Sequence, residues 1–150
     1  MIFSATDLTA IKNAIEADTT ALGEWNAGNT GLLCQYLNSV PSPSQNVTRE
    51  DVPSGELFHC LVASDLSALT AWELTALQLA AQAGTIDFTK STVTSGLASI
   101  FPSSSPTYAN IMGIAVRPAT RLEAIFLSGG VSTHYGDQID LPTLLVAMAS

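Results

Sequence analysis

The stretch Ser67–Gly84, S-A-L-T-A-W-E-L-T-A-L-Q-L-A-A-Q-A-G, carries leucine, tryptophan or alanine around most of a helical circumference. Only Thr75, Gln78 and Gln82 fall at helical spacing as a narrow polar stripe. A helix that is apolar nearly all round is normally buried on several sides. Asp65 or Ser67 can cap it, and Gly84 stands where a left-handed residue ends a helix. This stretch is expected to be the central scaffold of one core, with the segments around Ile11, Leu33, Val93 and Phe126 packed against it and the polar stripe as its exposed edge.

Working outward toward the N-terminus, Ser4-Ala5-Thr6-Asp7 has the form of a capping box ahead of Leu8, Ile11 and Ile15, which predicts a helix over about 7–17. Asp18-Thr19-Thr20 interrupts it, and a short turn follows through Leu22 and Trp25. A second short helix runs from Thr30 and stops near Asn38, because Pro41 and Pro43 cannot continue it. Val47 to Val52 alternates loosely and is the first strand candidate. Pro53 suits a first helical turn, leading to a helix over about 54–62.

Toward the C-terminus, Val93, Leu97, Ile100 and Phe101 form one helical face, and Pro102 to Pro106 breaks it. Tyr108, Ile111, Met112 and Ala115 make the next face. Pro118 either kinks one long helix or starts a new one carrying Leu122, Ile125 and Phe126, ended by Ser128-Gly129-Gly130. Val131 to Ile139 is the second strand candidate, expected to pair with the first within one chain or between neighbours. Asp140 can cap a last helix with Leu141, Leu144, Leu145 and Met148. The expected fold is mainly α: a compact multi-helix bundle around the central apolar helix with a minor two-stranded β element. Residues 1–150 are expected to form a single helical domain, with 131–150 as a C-terminal arm that orders on assembly.

Of the 150 residues, 47% are hydrophobic and only 12% charged, about half the usual ~25% charged share. Two surfaces follow from so few charges: one rich in uncharged polar side chains, or one that meets other subunits, since charge is depleted at interface centres. Thirteen acids against five bases give a net charge of −8. Lys12, Lys90, Arg49, Arg117 and Arg121 are scattered, so no basic cluster exists for phosphate binding, and specific nucleic-acid binding is not expected. The opening M-I-F-S-A-T-D-L has no basic region leading an apolar run, and no apolar stretch reaches membrane-spanning length, so synthesis in a cytoplasm and no membrane partner are expected. Cys34 and Cys60 then read as apolar-packed thiols rather than a disulfide framework.

Cys34, His59, Cys60 and His134 lack the paired spacings of a zinc site, and no nucleophile elbow or phosphate-binding loop is present. No cofactor, metal or enzymatic activity is expected. Arg49, Glu50 and Asp51, with Glu56 nearby, read as a solvated loop or an inter-subunit ion pair. In Arg117-Pro118-Ala119-Thr120-Arg121-Leu122-Glu123, the arginines either hydrogen-bond loose backbone carbonyls or carboxylates, or anchor a neighbouring subunit. With His134 and Tyr135 of the second strand candidate, Arg49, Glu50, Asp51, Arg117 and Arg121 complete the set of interface candidates.

The run R-P-A-T-R-L-E-A-I-F-L-S-G-G, 117–130, resembles a family of small proteins encoded in the structural modules of tailed bacteriophages and prophages. Segments 8–18, 29–38, 48–53 and 85–96 are similar to it in character and order. The chain departs from the family pattern in lacking an aromatic near Val47 and a longer glycine-rich stretch after Phe126. The resemblance implies a virion structural protein made in the host bacterial cytoplasm. A small, helical, acidic subunit suits a head–tail connector or adaptor, a cyclic homo-oligomer at the neck that docks on portal or tail proteins while DNA passes through an acidic lumen. A tail, baseplate or capsid-surface component is the alternative, and an assembly factor not retained in the virion is a third.

Overall fold

The computed structural model describes residues 2–150, which form two compact units, 2–47 with 118–150 and 48–117. The first unit opens with α1 (Ala5–Ala17), α2 (Thr19–Asn26) and α3 (Thr30–Leu37) and leaves through β1 (Asn46–Thr48). The second contains β2 (Val52–Pro53), α4 (Ser54–Cys60), α5 (Ala63–Leu66), α6 (Ala71–Ala81), β3 (Thr85–Ile86), α7 (Ser91–Ile100) and α8 (Pro106–Ile114). The chain returns through β4 (Val116–Pro118) and ends in α9 (Arg121–Ile125), β5 (Leu127–Ser128), β6 (Val131–Ser132) and α10 (Leu141–Ala149). The fold is mainly helical with small two-stranded sheets, as its sequence leads one to expect.

In the first unit, local chemistry sets each helix start. Ser4 and Asp7 form the reciprocal capping box of α1, the Asp18 carboxylate accepts from the amides of Thr20 and Ala21 to start α2, and Asp140 accepts from the Thr143 amide to start α10. Leu8, Ile11 and Ile15 of α1, Leu33 and Leu37 of α3, Leu122 of α9 and Leu144 and Ala147 of α10 share one core. The Asn38 side chain binds Ile139 like a strand neighbour, donating from Nδ2 to its carbonyl and accepting from its amide at Oδ1, both at 2.9 Å. The expectation of a C-terminal arm is therefore corrected. Ile139, Leu144 and Ala147 are buried in this core, because α10 has an apolar face that α1 and α3 cover.

The second unit has its own core of Val52, Leu57, Cys60, Leu77, Ile86, Phe88, Leu97, Phe101, Ile111 and Ala115. Thr107 and Asp65 join its helices: the Thr107 hydroxyl accepts from the Val62 amide at 2.9 Å, and the Asp65 carboxylate accepts from the Thr107 amide at 3.0 Å. Asp65 thus serves α8, and the stretch 67–84 is capped elsewhere. Thr70 and Glu73 form a capping box that starts α6 at Ala71, and Gly84 follows the helix with φ of 83°.

The scaffold expected of 67–84 is corrected as well. Leu77 is its one buried helical side chain, while Trp72, Leu74 and Leu79 stand exposed beside the polar stripe. Ile11, Leu33 and Phe126 pack in the other unit's core. An all-round apolar sequence specifies that a helix can be buried on several sides, not that one chain supplies every cover.

The strands also pair differently from expectation. β2 pairs with β3 and β5 with β6, so the 47–52 and 131–139 segments do not join. Gly129 and Gly130, with φ of 59° and 82°, make a two-residue turn between β5 and β6, setting Leu127 opposite Ser132. Two consecutive positive φ angles match the right-handed twist of a hairpin, so the local partner wins over the distant one. Pro118 lies in β4 and neither kinks nor starts a helix. Proline disfavours the helical region for Arg117, and Thr120 with Glu123 supplies the capping box that starts α9 three residues later.

Candidate docking surfaces

The charged residues singled out from the sequence are largely engaged within their own unit. Arg49 donates to both carboxylate oxygens of Glu56, at 3.1 and 3.4 Å, and to the carbonyl of Ile114 at 3.3 Å; its Nε lies 3.8 Å from Asp51. A two-pronged guanidinium–carboxylate contact fixes orientation as well as charge. It ties the first turn of α4 to the end of α8, while Glu50 is exposed. Arg117 is half-buried in β4.

Arg121 sits at the first position of α9 with its guanidinium carbon 3.9 Å from the centre of the Tyr36 ring. It donates to the Ser39 hydroxyl at 2.7 Å and to the Tyr36 carbonyl at 3.5 Å. Tyr36 in turn donates its hydroxyl to Asp18 at 2.8 Å. Of the two roles open to the arginine from sequence, the backbone-carbonyl contact is present.

His134 is 7% exposed and lies between aromatic rings, stacked on Phe3 at 4.6 Å and tilted against Phe126 at 4.3 Å. Its Nδ1 is 2.8 Å from Asp137 and its Nε2 is 3.5 Å from Asp7. Hydrogen bonds from Ser4 hold the Asp7 carboxyl below the usual carboxylate range, with the nearby His134 adding to the effect. Tyr135 beside it is half-buried. Both ring nitrogens of His134 therefore face carboxylates, and the imidazole organises the turn after β6.

Glu123, 1% exposed, is none of the interface candidates read from the sequence. Its carboxylate accepts from the amides of Thr120 at 2.8 Å and Gly136 at 2.7 Å, and its carbonyl accepts from the Ser132 hydroxyl at 3.0 Å. The capping-box spacing T-x-x-E is the sequence signal that could have located it.

Cys34 is half-buried in the first unit and Cys60 buried in the second; both are free thiols, and burial pushes each above the ordinary thiol range, with Asp140 and Glu56 respectively adding to the shift. Among the described residues no group of three or more His, Cys, Asp and Glu side chains is placed to hold a metal ion. No described helix is long and apolar enough to cross a membrane.

Exposed apolar side chains stand on α6 and α10. In the second unit, Trp72 is 72% and Leu79 65% exposed, one above the other on α6. A cleft of about 320 Å³ lies between α6 and α7, lined by Ala76, Ala80, Val93, Gly96 and Ile100 with the buried Leu57 and Leu97. In the first unit, Leu141, Leu145 and Val146 form a ridge on α10, each nearly half exposed. Neither α7 nor α10 contains a charged residue, and α6 has only Glu73, whose carboxylate is taken by its capping box. In the sequence the apolar circumference of α6 reads as core, and its exposed face is visible only in the structure.

No family model, curated protein or solved structure matches the chain.

Proposed function

We propose that this protein is a structural subunit of a tailed-phage particle, a head–tail connector or adaptor that assembles with copies of itself into a ring at the neck and docks on portal or tail proteins. The observation that carries the reading is the pair of uncharged, exposed apolar helix faces, on α6 and α10, in a chain with only 12% charged residues. Interface centres are poor in charge and rich in large apolar side chains, Trp among them. The resemblance of the R-P-A-T-R run to phage structural-module proteins supplies the setting. The net charge of −8 suits a lumen that DNA passes without adhering.

The reading is non-enzymatic. It is supported by the burial of His134 and by the engagement of Arg49 and Arg121 with groups of their own units. Mass measurement on the assembled protein, with imaging of purified particles, tests it: a closed ring at the head–tail junction is expected. A location in the tail, baseplate or capsid surface would replace the connector assignment. Presence in the infected cell with absence from particles would overturn the virion role and make the protein an assembly factor.

A further inference from the structure

We propose that the pocket between α1, α3 and α9, with Arg121 on its wall, binds a single carboxylate carried on an apolar body. The site is independent of the proposed ring.

The pocket, of about 510 Å³, lies wholly within the first unit. Pro41, Pro43 and Ile125 give it apolar walls, while Arg121, Tyr36 and Asp18 give it polar ones. The half-buried Arg121 is fixed by the Tyr36 ring, 3.9 Å from its guanidinium carbon, and by two hydrogen bonds from Nη1, to the Ser39 hydroxyl and the Tyr36 carbonyl. Its Nε and Nη2 have no acceptor among the described residues. No buried side-chain donor lacks a partner, so these N–H groups are open to solvent. A guanidinium edge with Nε–H and Nη2–H free is the fork that holds a carboxylate through two parallel hydrogen bonds. Because stacking and the Nη1 bonds already orient it, little further ordering is needed on binding. Ser42, also on the lining, makes no hydrogen bond within the chain, so its hydroxyl and amide are further donors for the same group.

The second charge in the pocket selects a monoanion. Asp18 accepts from the amides of Thr20 and Ala21 and from the Tyr36 hydroxyl. Against the upward push of burial, these bonds and the Arg121 charge hold its carboxyl below the usual range. Asp18 therefore stays ionised, and a dianion such as phosphate meets its repulsion, where one carboxylate satisfies the arginine alone. The prolines and Ile125 then cover the apolar part of the ligand. Such a carboxylate comes either from a free organic acid or from an acidic side chain of a partner's peptide segment.

Titration of the intact protein, followed by the Arg121 Nε–H and the Ser42 amide in nitrogen–proton correlation spectra, tests the site. Benzoate should shift both signals saturably, with a dissociation constant of about 1–10 mM. Benzamide, which has the same ring without the charge, and inorganic phosphate should each bind at least about 10-fold more weakly. Arg121→Lys keeps the charge and loses the fork, and should weaken benzoate by about 10-fold or more, with the melting temperature checking that the variant is folded. The capped peptide acetyl-Phe-Glu-Phe-amide separates the sources: tighter binding than benzoate assigns the site to a partner's acidic segment, and equal or weaker binding assigns it to a free acid. Benzamide or phosphate binding as tightly as benzoate, a folded lysine variant with unchanged affinity, or the absence of any saturable shift overturns the carboxylate site. The benzamide and phosphate comparisons use the natural chain, so they decide the matter even where the variant does not fold.

Discussion

His134 fills the gap between Phe3 and Phe126, with Asp7 and Asp137 at its two nitrogens. The two carboxylate side chains remain 25% and 23% exposed, so losing their contacts to the ring nitrogens leaves them hydrated, whereas losing the ring's volume between Phe3 and Phe126 leaves an apolar void. Packing should therefore dominate. His134→Ala is expected to cost about 2–4 kcal/mol in urea denaturation, and His134→Phe to recover most of that loss. A phenylalanine variant as unstable as the alanine variant would show that the polar contacts matter more. Hydrogen bonds from Ser4, Thr70 and Thr143 hold the carboxyls of Asp7, Glu73 and Asp140 below their ordinary range. A carboxyl with a depressed folded-state pKa stabilises the fold above its unfolded pKa, and that stability is lost as pH falls through the folded value. The melting temperature should thus start to fall below about pH 4.5 and keep falling toward pH 2. A flat profile across that window would mean these caps contribute nothing as charges.

At the scale of the element, α6 depends on its ends. With Leu77 as its one buried residue, the helix gains little from packing, so the Thr70–Glu73 box carries an unusual share of its stability. Thr70→Ala should cost about 1 kcal/mol and Thr70→Ser much less. Hydrogen exchange should rise first at amides 71–74, and unchanged protection there would refute the dependence. Helices whose starts are written in local chemistry were legible: Ser4 with Asp7 for α1, and Asp140 for α10, where the cap and the first apolar residue lie within one turn. The boxes of α6 and α9 carry the same signature, T-x-x-E, but their surroundings hid it. In one case the apolar run extends upstream of Thr70; in the other Pro118 suggests a helix start three residues too early. The β5–β6 hairpin was hidden for a related reason: its two glycines read as the end of a helix, although their paired positive φ angles make a turn.

At the scale of the whole molecule, the chain enters the second unit after Val47 and leaves it before Pro118. The first unit's core draws only on residues 3–37 and 122–148, and the Ala119 amide donates to the Gln45 carbonyl at 2.8 Å, which brings the ends of the inserted segment together. Replacing 48–117 with a short Gly/Ser loop should therefore leave a fragment that melts cooperatively, with exchange-protected amides in α1 and α10. A fragment without a cooperative transition would mean that the first core does not stand alone. The sequence by itself determined the helical class, the chemistry of the caps and the scarcity of charge, because these depend on residues within a turn of one another and on composition. Tertiary structure alone decided that two cores form instead of one, that His134 and Glu123 are buried, and that Trp72 and Leu79 face outward. Hydrophobic periodicity shows that a surface seeks cover, but which surface supplies it depends on contacts between residues far apart in the chain.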